Sequence, residues 1–229
     1  MKTHLLIISG GMDSSVALHE FKHVIGQAVT FNYGSKHNNE EIKRARANCK
    51  ALDIPHTVID LSSAFKDFES HLLQNGGDIP EGHYADDNMK KTVVPFRNGI
   101  MLSIATGLAE SKGLKYVMLA SHAGDHAVYP DCRPEFNTYM NLAMQLGTNL
   151  GVSLAFPYGT ISKEDIAKHG NELGIDWSTT YSCYKGGEVH CGRCSTCVER
   201  IWALRHSNDT TEYLDTEYAE KLLRERGEW

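Results

Sequence analysis

Two rhythms of apolar and polar positions alternate along the first half of the chain. Leu5-Leu6-Ile7-Ile8 is a short continuous apolar run, which predicts a buried strand ending near Ser9. Val16, Ala17, Leu18 and Phe21 then fall on one stripe of a helix that begins near Asp13. Ala28 to Asn32 predicts a second strand. Ile42, Ala45, Cys49 and Leu52, three or four apart, predict a helix over 38–52 with Cys49 as a core thiol. Past Pro55, Thr57 to Leu61 predicts a third strand. Strand, helix, strand in this order predicts an α/β fold with a doubly wound, mostly parallel sheet.

The rhythm stops over 74–91, where Gly76-Gly77, Pro80, Gly82 and a run of charges replace any apolar period. A loop this long inside a compact domain is expected to be a mobile lid or substrate loop, with a plain surface insertion as the alternative. Helix returns over 98–112, with Ile100, Met101, Ile104, Ala105 and Leu108 inward, and Tyr116 to Ala120 predicts another strand. A helix over 136–150 exposes the apolar stripe Tyr139, Leu142, Ala143 and Leu146. Ser162 and Asp165 read as a capping box that starts a helix ending near Gly170 or Gly174. Val198 to Arg205 and Glu217 to Arg226 predict two last helices. The chain thus divides into an α/β domain over 1–176 and a C-terminal helical segment over 177–229.

Composition narrows the function classes. With 229 residues, 41% of them hydrophobic and 23% charged, the chain can build a core without disulfides. Its 23 Lys and Arg against 29 Asp and Glu give a net charge of -6, which argues against a direct nucleic-acid partner. No run approaches the ~20 apolar residues of a membrane span. The apolar run near the start is too short for a signal peptide, so a cytoplasmic protein is expected. Four of the six cysteines, Cys183, Cys191, Cys194 and Cys197, fall close together. Four soft sulfur ligands suit one structural, tetrahedral Zn²⁺; an iron–sulfur centre and redox thiols are the alternatives. His190, inside the cluster, is expected to be a neighbour or hydrogen-bond donor, since a fifth ligand is not needed.

The densest chemistry lies after the first strand, in Ser9-Gly10-Gly11-Met12-Asp13-Ser14-Ser15. Two glycines allow a sharp approach, and the free amides that follow sit at the positive end of a helix. That combination makes a nest for phosphate, with serine hydroxyls as further donors and Asp13 able to hold Mg²⁺. The spacing is neither that of the Walker loop nor that of the dinucleotide fingerprint. This segment resembles the PP-loop of the ATP pyrophosphatase superfamily, with its adenine nucleotide alpha hydrolase-like fold. The resemblance implies splitting of ATP between its α and β phosphates and transfer of AMP to a substrate oxygen.

Four further segments carry charge at predicted turns: Phe31 to His37, Val94 to Asn98, His122 to Phe136 and Thr160 to Lys163. Together with Tyr33-Gly34, Arg97-Asn98, Tyr129-Pro130-Asp131-Cys132-Arg133-Pro134-Glu135-Phe136, Ser162-Lys163 and Ser182-Cys183-Tyr184, the loop and the cysteines resemble the 7-cyano-7-deazaguanine synthase family over nearly the full chain. The chain departs from that pattern at Phe96, where a glycine is usual, at Ala127-Val128, where Ser-Gly is usual, and at Lys36, in place of a frequent arginine.

The resemblance implies ATP-dependent conversion of 7-carboxy-7-deazaguanine and ammonia into 7-cyano-7-deazaguanine, through adenylated acid and amide, in a homodimer. Asp13, Arg97 and Lys163 are the expected catalytic residues, with ATP on Ser9 to Ser15. Tyr33, His37, Arg97, Asp125, Tyr129, Asp131 and Arg133 are expected around the deazaguanine. Asp131, with Asp125 second, is expected to accept from its ring N–H and exocyclic amine. Two other readings stand beside this one. One is another PP-loop amidating or tRNA-thiolating enzyme, including one that stops at the amide. The other is a zinc-stabilised interaction or nucleic-acid module without catalysis.

Overall fold

The computed structural model describes residues 1–229. Its chain order is β1 (His4–Ile7), α1 (Met12–Glu20), β2 (Ile25–Asn32), α2 (Asn38–Ala51), β3 (His56–Asp60), α3 (Ser62–Phe65), α4 (Arg97–Ser111), β4 (Tyr116–Met118), α5 (Pro134–Leu146), β5 (Ser153–Ala155), α6 (Lys163–Glu172), α7 (Ser195–Leu204) and α8 (Glu217–Glu225). The five strands form one sheet in the order β3-β2-β1-β4-β5, every pairing parallel. Parallel strands need crossover connections, and the alternation of strand and helix seen in the sequence supplies them.

Adjacent residues of each inner strand feed opposite cores. Leu5, Val29 and Val117 join α4 and α5 in one cluster, while Leu6, Ala28 and Met118 join α1, α2 and α6 in the other. Leu5 and Leu6 are both fully enclosed, each adding roughly 1.5–3 kcal/mol of transfer free energy. Cys49 lies buried in the second cluster, as its helical spacing predicts. No helix is long and apolar enough to cross a membrane.

Chain direction across the sheet reverses between β1 and β4, and the carboxyl ends of the strands around that point form a crevice. Ser9-Gly10-Gly11 leaves β1 there and turns into α1, with Gly10 in the left-handed region at φ 86°. A side chain at Gly10 would meet the Glu41 carbonyl at 2.6 Å and the Ala45 amide at 2.8 Å, so glycine lets this loop lie against α2.

The elements differ from the sequence expectation in a few places. β5 carries no alternating pattern and is set by pairing with β4. α3 is a single turn after β3. The 74–91 stretch ends in a short 3₁₀ turn over Asp87–Thr92 and is fastened rather than free-standing. Lys36 Nζ donates to the carbonyls of His71 at 3.0 Å and Gly76 at 3.2 Å, which gives the lysine at this position a task in holding that loop.

Half of the expected capping box forms at α6. Ser162 Oγ accepts from the Asp165 amide at 3.1 Å, but the Asp165 carboxylate takes the Ser162 hydroxyl at 2.7 Å instead of the Ser162 amide. Ser162→Ala is expected to destabilise the protein by about 1 kcal/mol in urea unfolding without changing the denaturant slope. An unchanged midpoint would mean that packing of α6 alone holds its first turn.

Candidate active site

The phosphate-loop residues Ser9, Gly11, Met12, Asp13 and Ser14 line a cavity at the β1–β4 crevice. Gly11 caps α1 without a side-chain hydrogen bond, so the helix's first amides keep no internal acceptor. The hydroxyls are prearranged: Ser9 Oγ accepts from the Gly11 amide at 3.2 Å, and Ser14 Oγ lies 3.2 Å from Ser9 Oγ. Gly10 and Ser15 support the loop from behind. Ser15 is buried, with its hydroxyl accepting from Asn48 Nδ2 at 3.4 Å.

Lys163 starts α6 on the opposite wall and donates to Asp13 Oδ2 at 2.7 Å. Glu199 Oε2 stands 3.8 Å from the same ammonium. Burial opposes the Lys163 charge, but Asp13, Glu199 and Asp125 outweigh it and raise its pKa. Asp13 Oδ1 is buried with no hydrogen-bond partner. An orphaned carboxylate oxygen beside a phosphate nest is a fitting ligand for Mg²⁺.

Asp125 enters from the turn after β4. Its Oδ1 accepts from the Tyr84 hydroxyl at 2.8 Å and its Oδ2 from the His122 amide at 3.1 Å. Burial alone would raise its pKa; His122 and Lys163 lead the groups that lower it below the ordinary aspartate value. Tyr84 comes from the polar loop, so that loop supplies a buried wall of the cavity. The His122 ring accepts at Nδ1 from the Gly124 amide at 3.1 Å, leaving Nε2 to carry its proton toward Asp125 and Glu199.

Arg97 opens α4 into the same space. Its guanidinium lies 5.5 Å from the centroid of Tyr33 and 6.0 Å from that of Tyr129, and it donates to the Tyr33 hydroxyl at 3.4 Å. No carboxylate lies within ion-pair distance of it. Burial opposes its charge, and the surrounding Tyr33, Tyr184, Tyr129 and Asp131 more than offset that, so the group stays ionised. The backbone that aims it is unusual: Phe96, at the cap of α4, is left-handed at φ 53°. Its ring packs edge-on against Phe136 at 5.7 Å, which holds a phenylalanine where glycine would be unstrained.

Tyr33, His37, Tyr129 and Asp125 thus meet Asp13, Arg97 and Lys163 around one cavity. Asp131 and Arg133 do not line it. Asp131 Oδ2 accepts from the Asn98 amide at 2.7 Å and so binds the first turn of α4, while Arg133 Nε donates to the His126 carbonyl at 3.2 Å. Among the cavity residues that escaped the sequence reading, Glu41, Glu199 and Tyr84 carry the most chemistry. Glu41 is the second of two adjacent glutamates in an otherwise solvent-facing pattern. Glu199 sits among the apolar residues of α7, just beyond Cys197, and Tyr84 is a lone aromatic in a polar loop.

The four cysteines also converge. Cys183, Cys191, Cys194 and Cys197 are buried, with all sulfurs within 4.8 Å of one another. Cys191 Sγ and Cys197 Sγ are 3.9 Å apart, close to the ~3.8 Å edge of a tetrahedron with metal–sulfur bonds of about 2.3 Å. The amides of Cys191, Arg193 and Cys194 donate to these sulfurs at 3.4, 3.4 and 3.2 Å, a pattern suited to thiolates. This donor set fits a closed metal site. His190 stays outside it as a neighbour, one of the two roles expected, and its Nε2 accepts from the Ser182 amide at 3.0 Å.

Comparison with known proteins places the chain in a family. Residues 3–208 match the family described as "Queuosine biosynthesis protein QueC". The 7-cyano-7-deazaguanine synthase of Porphyromonas gingivalis strain W83 is 52% identical over 214 residues, spanning 93% of this chain and 97% of its own. That of Desulfotalea psychrophila strain LSv54 is 48% identical over 218 residues, 93% of this chain and 100% of its own. In fold, the chain is similar to the NMN synthetase from Francisella tularensis, at a TM-score of 0.50 over 99% of this chain and 86% of that one, with 12% identity. The phosphate loop at the switch of a parallel sheet, the four-cysteine cluster and matches over nearly the whole length lead to one conclusion: the chain is an enzyme of the QueC family of queuosine biosynthesis, to which the 7-cyano-7-deazaguanine synthases belong.

Proposed function

We propose that this enzyme converts 7-carboxy-7-deazaguanine and ammonia into 7-cyano-7-deazaguanine, using two ATP through an adenylated acid and then an adenylated amide. The observation that carries this reading is the pairing, in one cavity, of a phosphate nest with a half-buried guanidinium that has no carboxylate partner. An acidic, planar substrate supplies the anion that Arg97 lacks, between the rings of Tyr33 and Tyr129.

The substrate carboxylate oxygen attacks the α phosphorus and pyrophosphate leaves, held by the amides of the loop and the hydroxyls of Ser9 and Ser14. Ammonia adds to the activated carbonyl, AMP departs with that oxygen, and the amide remains. The amide oxygen then attacks the α phosphorus of a second ATP, a second pyrophosphate leaves, and loss of AMP with two N–H protons leaves the nitrile. Asp13 would hold Mg²⁺, which when bound neutralises phosphate charge. Lys163, released from Asp13, faces the α phosphate or the leaving pyrophosphate, and Tyr84 helps to keep water from the acyl adenylate. Arg97 takes the carboxylate, because it alone of the two cations has no acidic partner in the substrate-free protein.

The four cysteines would hold one structural Zn²⁺, which suits their closed and buried arrangement. A homodimer belongs to this reading, supported by the exposed apolar face of Tyr139, Leu142 and Leu146 on α5. The acidic chain supports small-molecule chemistry in the cytoplasm without a nucleic-acid partner.

Substrate labelled with ¹⁸O at both carboxylate oxygens tests the reaction sequence. Each of two AMP molecules is expected to carry one label, and the nitrile none. Label retained in the organic product, or in pyrophosphate, would contradict the sequence of steps.

A further inference from the structure

Four carboxylates line the cavity, and three of them are engaged. Asp13 takes Lys163, Glu199 stands between Lys163 and His122, and both oxygens of Asp125 accept hydrogen bonds. Glu41, in the first turn of α2, differs. Its carboxylate accepts no hydrogen bond from the protein, and His37 Nε2 stands 3.7 Å from it. Its side chain is only 16% exposed and faces the cavity. The close approach of Gly10 to the Glu41 carbonyl fixes where this first turn sits.

A short chain of contacts separates Glu41 from Arg97. The Arg97 guanidinium meets the Tyr33 hydroxyl at 3.4 Å, that hydroxyl meets His37 Nε2 at 3.2 Å, and Glu41 lies beyond. The substrate presents a matching order along one edge: the acid group, the ring carbonyl, the ring N–H and the exocyclic amine follow one another. A cation at one end and an acceptor at the other complement it.

We infer that Glu41 is the specificity-determining residue that accepts from the ring N–H and the exocyclic amine of the deazaguanine, in register with Arg97 on the acid group. This assignment rests on the proposed function and replaces Asp131, which is occupied at the start of α4. A carboxylate pairs with two adjacent N–H donors in bidentate fashion, as it does with arginine.

Protonation adds a second readout. Glu41 is faced by His37 at the cap of its own helix, and the charges of Arg97 on α4 and Tyr33 at the end of β2 act on it, with Tyr184 packed on the His37 ring. Burial pushes its pKa up to about 8, only partly offset by Arg97, and burial holds His37 down at about 3, so the imidazole gives Glu41 no cation. Glu41 therefore resists ionisation near neutral pH, and pairing with two donors requires the ionised form. Substrate binding should release about one proton.

Calorimetric titration tests this with 7-carboxy-7-deazaguanine and its analogue lacking the exocyclic amine, in buffers of differing ionisation enthalpy. Glu41→Gln is expected to weaken the acid about 10–100-fold, to abolish proton release and to leave affinity for a non-hydrolysable ATP analogue unchanged. The deaminated analogue should bind the unmodified enzyme weakly and lose less than about threefold in the variant. Glu41→Asp keeps the charge and should fall between the two for the acid, which separates recognition from a folding defect. Equal losses for acid and analogue, or weakened ATP with unchanged acid, would overturn the assignment to Glu41 alone. An unmodified enzyme that binds ATP but not the acid would overturn the proposed function, and this assignment with it.

Discussion

Lys163→Met is expected to lower AMP formation by roughly 10²–10³-fold while ATP still binds, the scale on which one preorganised charge acts in a transition state. The methionine keeps most of the apolar stem and removes the ammonium that lies 2.7 Å from Asp13. Without the cation, Asp13, Glu199 and Asp125 remain together in a partly enclosed wall, so thermal stability should also fall, and Mg-ATP should restore part of it. Pyrophosphate release measured over a range of ATP concentrations separates the two effects. A loss confined to KM would place Lys163 in ground-state binding only. Unchanged kcat and KM would reduce it to a partner that neutralises Asp13.

Removal of the metal should produce the largest change in stability. Four buried sulfurs gathered within 4.8 Å lose their shared ligand and must take up protons when the cation goes, and binding of structural zinc is worth on the order of 10 kcal/mol in small domains. The surrounding segment depends on the same region. Arg200, fully buried on α7, donates to the Trp177 carbonyl at 2.7 Å and to Thr180, Ser182, Thr211 and Tyr213 hydroxyls. Glu81 of the polar loop pairs with Lys185 at 2.6 Å and Arg193 at 2.8 Å, residues that flank the cysteines. Chelation, or Cys194→Ser, is therefore expected to loosen residues 177–229 and the polar loop together. The readouts are elemental analysis, with one zinc per chain expected, and the emission of the buried Trp177. Full retention of native emission after complete metal loss would show that packing alone holds the segment.

What the sequence made legible was local. The phosphate loop, the cysteine cluster and the helices with long apolar stripes rest on short-range spacing, and each is where that spacing puts it. β5 escaped because three partly exposed residues at a sheet edge show no alternation, and only β4 gives them a partner. The surroundings of Asp131 were hidden for a related reason. Its place in a polar block suggested a ligand contact, but whether an aspartate faces a ligand or the amide of Asn98 depends on how two distant turns meet. Glu41 was hidden in a charged helix start, and its neighbour Arg97 lies more than fifty residues away. Tyr84 needed the polar loop's anchoring by Lys36 and Glu81, contacts no periodicity records.

Mass spectrometry of the product, with AMP counted against it, bears most directly on the reaction. The purified protein is incubated with 7-carboxy-7-deazaguanine, Mg-ATP and ammonia, and the organic product and AMP are quantified together. The expected result is the nitrile, with two AMP for each molecule formed. An end product with the mass of the amide and one AMP per turnover would contradict nitrile synthesis, and AMP release independent of the acid would contradict the assignment of this cavity to a deazaguanine substrate.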